Sequence, residues 1–307
     1  LWTRCPPGSV LCLSSVASDG FKRQGFLLSP VSQAAEGLVF TAIPDQDESR
    51  LRARFSTVAS YLQEQLGVDV SYLPVKSYGA AVTAFKNDQV QLAWFGGLSG
   101  VRARSRVPGS SAIAQGYEDQ FFTSYFIANR QQVSFTASPD IIPTSISSLD
   151  VLKGVTFSFG SKGSTSGRLM PEFYIRKHFS SAPSDVFRRV GFSGDHSRTI
   201  ALVESGAFQA GAVNYKVWEK AVAQGNVDTE KVAVVWKTPT YPDYQWTIRG
   251  DVDKRFGKGF AAKVTNALLE MSEPALLKAF PRKSFVPADN DDYVPIVNVA
   301  KSVGLID

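Results

Sequence analysis

"VTFSFGSKGSTSGRLMPEF", residues 155–173, decides how this chain folds. Its first six residues read as a strand, and its last third reads as the opening of a helix. Between them lies a turn of glycines and hydroxyls, from Gly160 to Gly167. Open α/β sheets bind ligands outside the carboxyl ends of their strands, where strand hands over to helix. A helix N-terminus at that place favours an anion, because its first N–H groups lack intrahelical acceptors. Two better-known motifs compete for the same letters, and neither is present. A Walker loop needs its lysine directly after the last glycine, but Lys162 comes before Gly163. A nucleophile elbow needs serine at the centre of G-x-S-x-G, and Thr165 stands there instead. Ser164, Thr165 and Ser166 remain, three hydroxyls that suit a compact tetrahedral oxyanion. An ordinary helix cap needs only one of them and stays open as a reading.

Two further strand ends point the same way. "GFSGDHSRTI" puts His196 at a second helix start, where one ring nitrogen can donate to an anion. The alternative there is a capping or surface histidine. Asn214 closes the strand "AGAVN" and offers both a donor and an acceptor. His178 lies in a basic helical stretch and reads as solvated surface.

Around these motifs, strands alternate with helices. "LVFTAIP" is a buried strand ended by Pro44, and residues 47–67 form an amphipathic helix stopped by Gly67. A strand around Val70, a helix from Tyr78 and the strand "VQLAWFG" follow, which implies an α/β lobe. "FTSYFIANR" ends this section, and a second α/β series begins at "SISSLDVLKG". After "DYQWTIRG" come amphipathic stretches with no strands of their own to cover, unless they return to the first lobe.

Composition narrows the class. The chain has 307 residues, 44% hydrophobic and 20% charged, enough for two lobes with a core. No apolar run of about 18 residues occurs, so no membrane-spanning helix is expected. The net charge of +5 is spread along the chain, without the aromatic and arginine stripe that single-stranded nucleic acid needs. Residues 1–37 are turn-rich and read as an N-terminal extension, and a start at Leu1 suggests a trimmed leader. Cys5 and Cys12 make a poor metal site and, in an exported protein, an expected disulfide. Metal, cofactor and catalytic residues are all expected to be absent.

Six segments together carry a resemblance: "LVFTAIPDQ", "SYGAAVTAF", "QLAWFGGLSG", "LDVLKGVTFSFGSKGSTSGRLMP", "GDHSRTIALVESGAFQAGAVNYKVWE" and "VVWKTPTYPDYQW". Over residues 38–295 or so the chain resembles the phosphate, phosphite and phosphonate family of periplasmic substrate-binding proteins, the capture subunits of ABC importers. The resemblance implies a type II periplasmic binding fold, two α/β lobes linked by two strands near Arg130 and Gln245, with a hinged cleft between. Residues 38–130 plus 245–307 would form the first lobe and 131–244 the second. It implies that Ser164, Thr165 and Ser166 hold the anion's oxygens, with His196 at the side and Tyr78 reaching across. Trp94 and Phe95 would form an apolar wall. Asn214 aligns near a position where relatives can carry an acid. Phe95 has no phenol and Asn214 no charge, and Asp195 is the nearest acid in sequence. A buried ammonium wants a carboxylate and a fourth phosphate oxygen wants a donor. The neutral site therefore implies phosphite or methylphosphonate as ligand, an ABC permease as partner and a monomer in the periplasm. A sensor input domain on the same fold is the alternative, and an enzyme with His196 as base would need a second acid.

Overall fold

The computed structural model describes residues 37–45, 48–136 and 141–306. Cys5, Cys12 and the extension up to residue 36 lie outside the described residues. Strands β1 (Leu38–Ala42), β2 (Val70–Tyr72), β3 (Leu92–Phe95) and β4 (Ser111–Gly116) open the chain. A second set follows: β5 (Ser124–Asn129), β6 (Thr156–Phe159), β7 (Arg189–Phe192), β8 (Ala210–Asn214) and β9 (Val232–Lys237). β10 (Gln245–Ile248) and β11 (Phe285–Pro287) come last. They build two sheets, ordered β11-β4-β10-β3-β1-β2 and β7-β6-β8-β5-β9. β1 pairs in parallel with β2 and β3, and β6 with β7 and β8, as strands joined by helical crossovers do. β10 runs antiparallel between β3 and β4, so the chain's end does return to the first sheet.

The crossing between the sheets lies earlier than Arg130. β5 pairs with β8 and β9 and thus belongs to the second sheet. Its six residues are all buried. Tyr125 and Ile127 face an outer core with Ile200, Val203 and Trp218, and Phe126 packs on Phe157 and Trp236 behind. A strand buried on both faces carries no sign of which sheet it joins. The chain crosses before β5 and again after β9. The two crossing segments lie antiparallel, with Phe122 and Tyr241 exchanging N–H···O bonds of 2.9 and 3.0 Å.

The α-helices before β10 are α1 (Glu48–Leu66), α2 (Tyr78–Lys86) and α3 (Gly97–Arg106), then α4 (Met170–Phe179), α5 (Pro183–Val186), α6 (His196–Glu204) and α7 (Tyr215–Ala223). α1 buries Leu51, Phe55, Val58, Leu62 and Leu66, one stripe at helical spacing. Gly67 ends it at φ +70, a left-handed conformation that glycine takes without penalty. α3 was not legible, because "GGLSG" is poor in helix formers. It is capped from elsewhere in the fold: the Gly97 N–H donates to Asp243 Oδ1 at 2.8 Å and the Leu98 N–H to Thr165 Oγ1 at 3.0 Å. His178 is not solvated as expected. Its Nε2 lies 2.7 Å from Asp150 Oδ1 and its side chain is largely covered.

Candidate oxyanion site

The Gly160–Gly167 turn leads into α4 through five residues of π-helix, Thr165–Leu169. The Leu169 N–H reaches back to the Ser164 carbonyl at 3.0 Å, the i to i−5 bond of a π-turn. Each has a different occupation. Ser164 Oγ accepts the Gly167 N–H at 2.9 Å as helix cap, keeping its own proton to give. Thr165 Oγ1 accepts from Leu98 of the first half, so its proton faces the Asp243 carboxyl. Ser166 Oγ is buried without a hydrogen-bond partner. The cap and the anion readings of the sequence both have a residue here.

Two more buried donors lack partners, the Tyr78 hydroxyl and His196 Nε2. Both border the same turn. A Cβ on Gly163 would lie 2.9 Å from Tyr78 Cβ, and one on Gly167 would lie 2.9 Å from His196 Cε1. Burial, then the carboxylates of Asp45 and Asp243, raise the Tyr78 hydroxyl well above its ordinary pKa, so it keeps its proton. His196 Nδ1 accepts the Asn214 N–H at 3.2 Å, which leaves the ring proton on Nε2. Burial lowers the His196 pKa to about 3, so the imidazole is neutral at physiological pH. The donors are therefore neutral hydroxyls and a neutral N–H.

Most of the Asn214 amide is engaged within the fold, with one N–H of its Nδ2 left over. Its Oδ1 caps α7 by accepting from Lys216 and Val217, and its Nδ2 donates to the Tyr244 hydroxyl at 3.0 Å. Tyr244 in turn donates to Asp45 Oδ2 at 2.9 Å, and the Asp45 carbonyl accepts the His196 N–H at 3.3 Å. This chain of bonds ties the end of β8 to the end of β1. Trp94 stacks on Tyr244 at 5.6 Å and leans on Trp246, Phe280 and Phe285. Phe95, the next residue along the strand, packs against Phe85 of α2 at 5.7 Å. Trp94 borders a cavity of about 20 Å³ shared with Asp45, Asn214 and Tyr244.

Sequence reasoning missed two carboxyls. Asp195, the acid it weighed, accepts the Arg198 N–H as the cap of α6. Asp45 and Asp243 are the acids that border Tyr78, and burial raises both pKa values, Asp243 to about 7. Asp243 Oδ2 has no partner. It can accept from a protonated oxyanion or, holding a proton, donate to an ionised one. Asp45 could have been found, since it follows the strand end at Pro44. Asp243 precedes an antiparallel strand, where no strand-end rule applies.

Buried donors without partners, drawn from both sheets and bordering one turn, make a candidate oxyanion cradle. A family model for the periplasmic phosphonate-binding component of ABC transporters matches residues 40–293. The chain belongs to this family. A probable ABC transporter phosphite-binding protein, PhnD1 of Prochlorococcus marinus, is 39% identical over 289 residues, 91% of this chain and 93% of its own. The structure of PhnD1 from that organism with methylphosphonate covers 88% of this chain and 98% of its own at a TM-score of 0.82. The phosphonates-binding periplasmic protein of Escherichia coli is 25% identical over 75% of this chain and 66% of its own. The fold is thereby the two-lobed type II periplasmic binding fold, and the family consists of substrate-binding proteins of ABC importers, not enzymes. These relatives lend the sensor alternative no support. Among the described residues no helix is long and apolar enough to cross a membrane.

Proposed function

We propose that the protein captures phosphite or methylphosphonate in the periplasm and delivers it, as a monomer, to the permease of an ABC importer. The two sheets and their helices act as lobes that close on the anion. Tyr78, Ser164, Ser166 and His196 donate to its oxygens, and the first-turn N–H groups of Thr165 and Ser166 add to them. Thr165 latches the lobes through Leu98, and Asn214 positions Tyr244 and Asp45. The observation that carries this reading is the trio of buried donors without partners, Tyr78 Oη, Ser166 Oγ and His196 Nε2, drawn from both halves. Such groups cost stability unless a ligand satisfies them.

Selectivity has a physical basis other than the neutrality first inferred, since Asp45 and Asp243 border the cradle. The cavity beside Trp94 and Tyr244, about 20 Å³, has room for about one water-sized group. None of Tyr78, Ser164, Ser166 and His196 lines it, but Asp45 and Tyr244 join it to their surroundings. In this reading it receives the substituent on phosphorus, so that a hydrogen or methyl fits and an aminoethyl chain does not. Titration calorimetry against phosphite, methylphosphonate, phosphate and 2-aminoethylphosphonate tests this. One site is expected, with phosphite or methylphosphonate at least about ten-fold tighter than the other two, a gap of about 1.4 kcal/mol. Tighter binding of phosphate or 2-aminoethylphosphonate would refute the ligand assignment.

A further inference from the structure

The groups of the cradle that face an anion are neutral donors, with two buried carboxyls beside them. That arrangement recognises an oxyanion at contact but does not attract one from a distance. The charge lies elsewhere. A cleft of about 560 Å³ opens on the outer side of Tyr78. Arg102 and Arg106 of α3 line it from the first half and Lys162 from the second, with Ser77 and Ser193 between them. None of its lining residues is acidic. Tyr78 and Gly163, which border the cradle, also line this cleft, so cleft and cradle adjoin at that pair.

The cations of this mouth are not neutralised by the fold. Arg106 and Lys162 are exposed, and among the described residues neither has an ion pair. Lys162 stands 5.3 Å over the Phe192 ring, which also takes Arg168 at 4.7 Å on its way to pairing with Glu172. Arg102 spends Nη2 on the Leu305 carbonyl at 2.9 Å, a neutral partner. Burial and the like charges of Arg106 and Arg168 lower the Arg102 pKa, so positive charge is crowded where the two halves meet. Clefts lined by charge of one sign concentrate counter-ions and speed their capture.

We infer that this mouth is an encounter station for oxyanions, where Arg102, Arg106 and Lys162 gather the anion before it passes Tyr78 and Gly163 into the neutral cradle. Recruitment and recognition are then separate: the mouth sets the association rate, and the cradle sets the dissociation rate and the selectivity. The inference rests on the cradle being the oxyanion site.

Stopped-flow tryptophan fluorescence with phosphite separates the two roles, using wild type, the double variant Arg106→Gln/Lys162→Gln and a remote control, Arg188→Gln/Arg189→Gln. At low ionic strength the mouth variant should associate about ten-fold more slowly, with its dissociation rate unchanged and the control like wild type. The difference should shrink as salt is raised to about 1 M, where the screening length falls to about 3 Å. Equal association rates in wild type and mouth variant, or an equal loss in the control, overturn the station while leaving the cradle intact. A faster dissociation rate overturns it too, because the cations would then be contact ligands. If wild type binds none of the four phosphorus oxyanions, the proposed function falls and takes the station with it.

Discussion

The Ser166 hydroxyl is buried with no partner, a condition that costs folding about 1–3 kcal/mol. A residue kept at such a cost has opposite effects on stability and binding. Ser166→Ala should leave the urea midpoint unchanged or raised, while calorimetry shows phosphite bound about 1–3 kcal/mol more weakly. Unchanged affinity would take Ser166 out of the cradle. Asp243 gives the second prediction at this scale. Burial pushes its carboxyl up from the ordinary aspartate range to about 7. The folded state therefore holds a proton that the unfolded chain releases between about pH 4 and pH 7, and stability falls as pH rises through that window. Asp243→Asn lacks this loss, so its urea midpoint should gain on wild type between pH 5 and pH 8. A gap independent of pH would mean that the carboxyl titrates near its ordinary value. Ser164–Ser166 and His196 were legible as candidates because they stand at strand-to-helix turns, where anions are favoured. The sequence hid Asp243, which lies in a link between sheets that no local pattern describes.

At the scale of elements, the π-turn before α4 depends on close approaches rather than on propensity. Gly163 faces Tyr78 Cβ, an atom held by the backbone of α2 that cannot swing aside, and an added Cβ at 2.9 Å would force one of them to move. Gly163 belongs to the second sheet's half and Tyr78 to the first, so the clash arises only when the halves meet. Gly163→Ala should weaken phosphite binding about ten-fold or more while the thermal midpoint without ligand stays within about 2 °C of wild type. An equal loss in both would place the effect in the fold rather than in closure. The strands and amphipathic helices were legible because their period of burial is written in the residues, as in the α1 stripe. α3 was not, because its caps come from Asp243 and Thr165, residues distant in sequence.

For the whole molecule, bonds that join the halves include Leu98 to Thr165, His196 to Asp45, Asn214 through Tyr244 to Asp45, and the Lys216–Glu118 ion pair at 3.4 Å. Among the described residues two antiparallel segments carry the chain from one sheet to the other, which is the geometry of a hinge. Small-angle scattering should show a smaller radius of gyration with phosphite than without, and Gly163→Ala should show a reduced change. A radius indifferent to ligand in wild type would mean that the halves stay closed. The residues alone determined the alternation of strand and helix, the turn at Gly160–Gly167 and the kinship that these carry, because each is a local pattern. Only the tertiary structure decided that β5 joins the second sheet, that Asn214 caps α7 and holds Tyr244, and that Phe95 faces Phe85. It also decided that Asp45 and Asp243 border the cradle. Those outcomes depend on which distant segments share a desolvated space, and burial there sets hydrogen-bond partners and proton affinities that no stretch of sequence carries by itself.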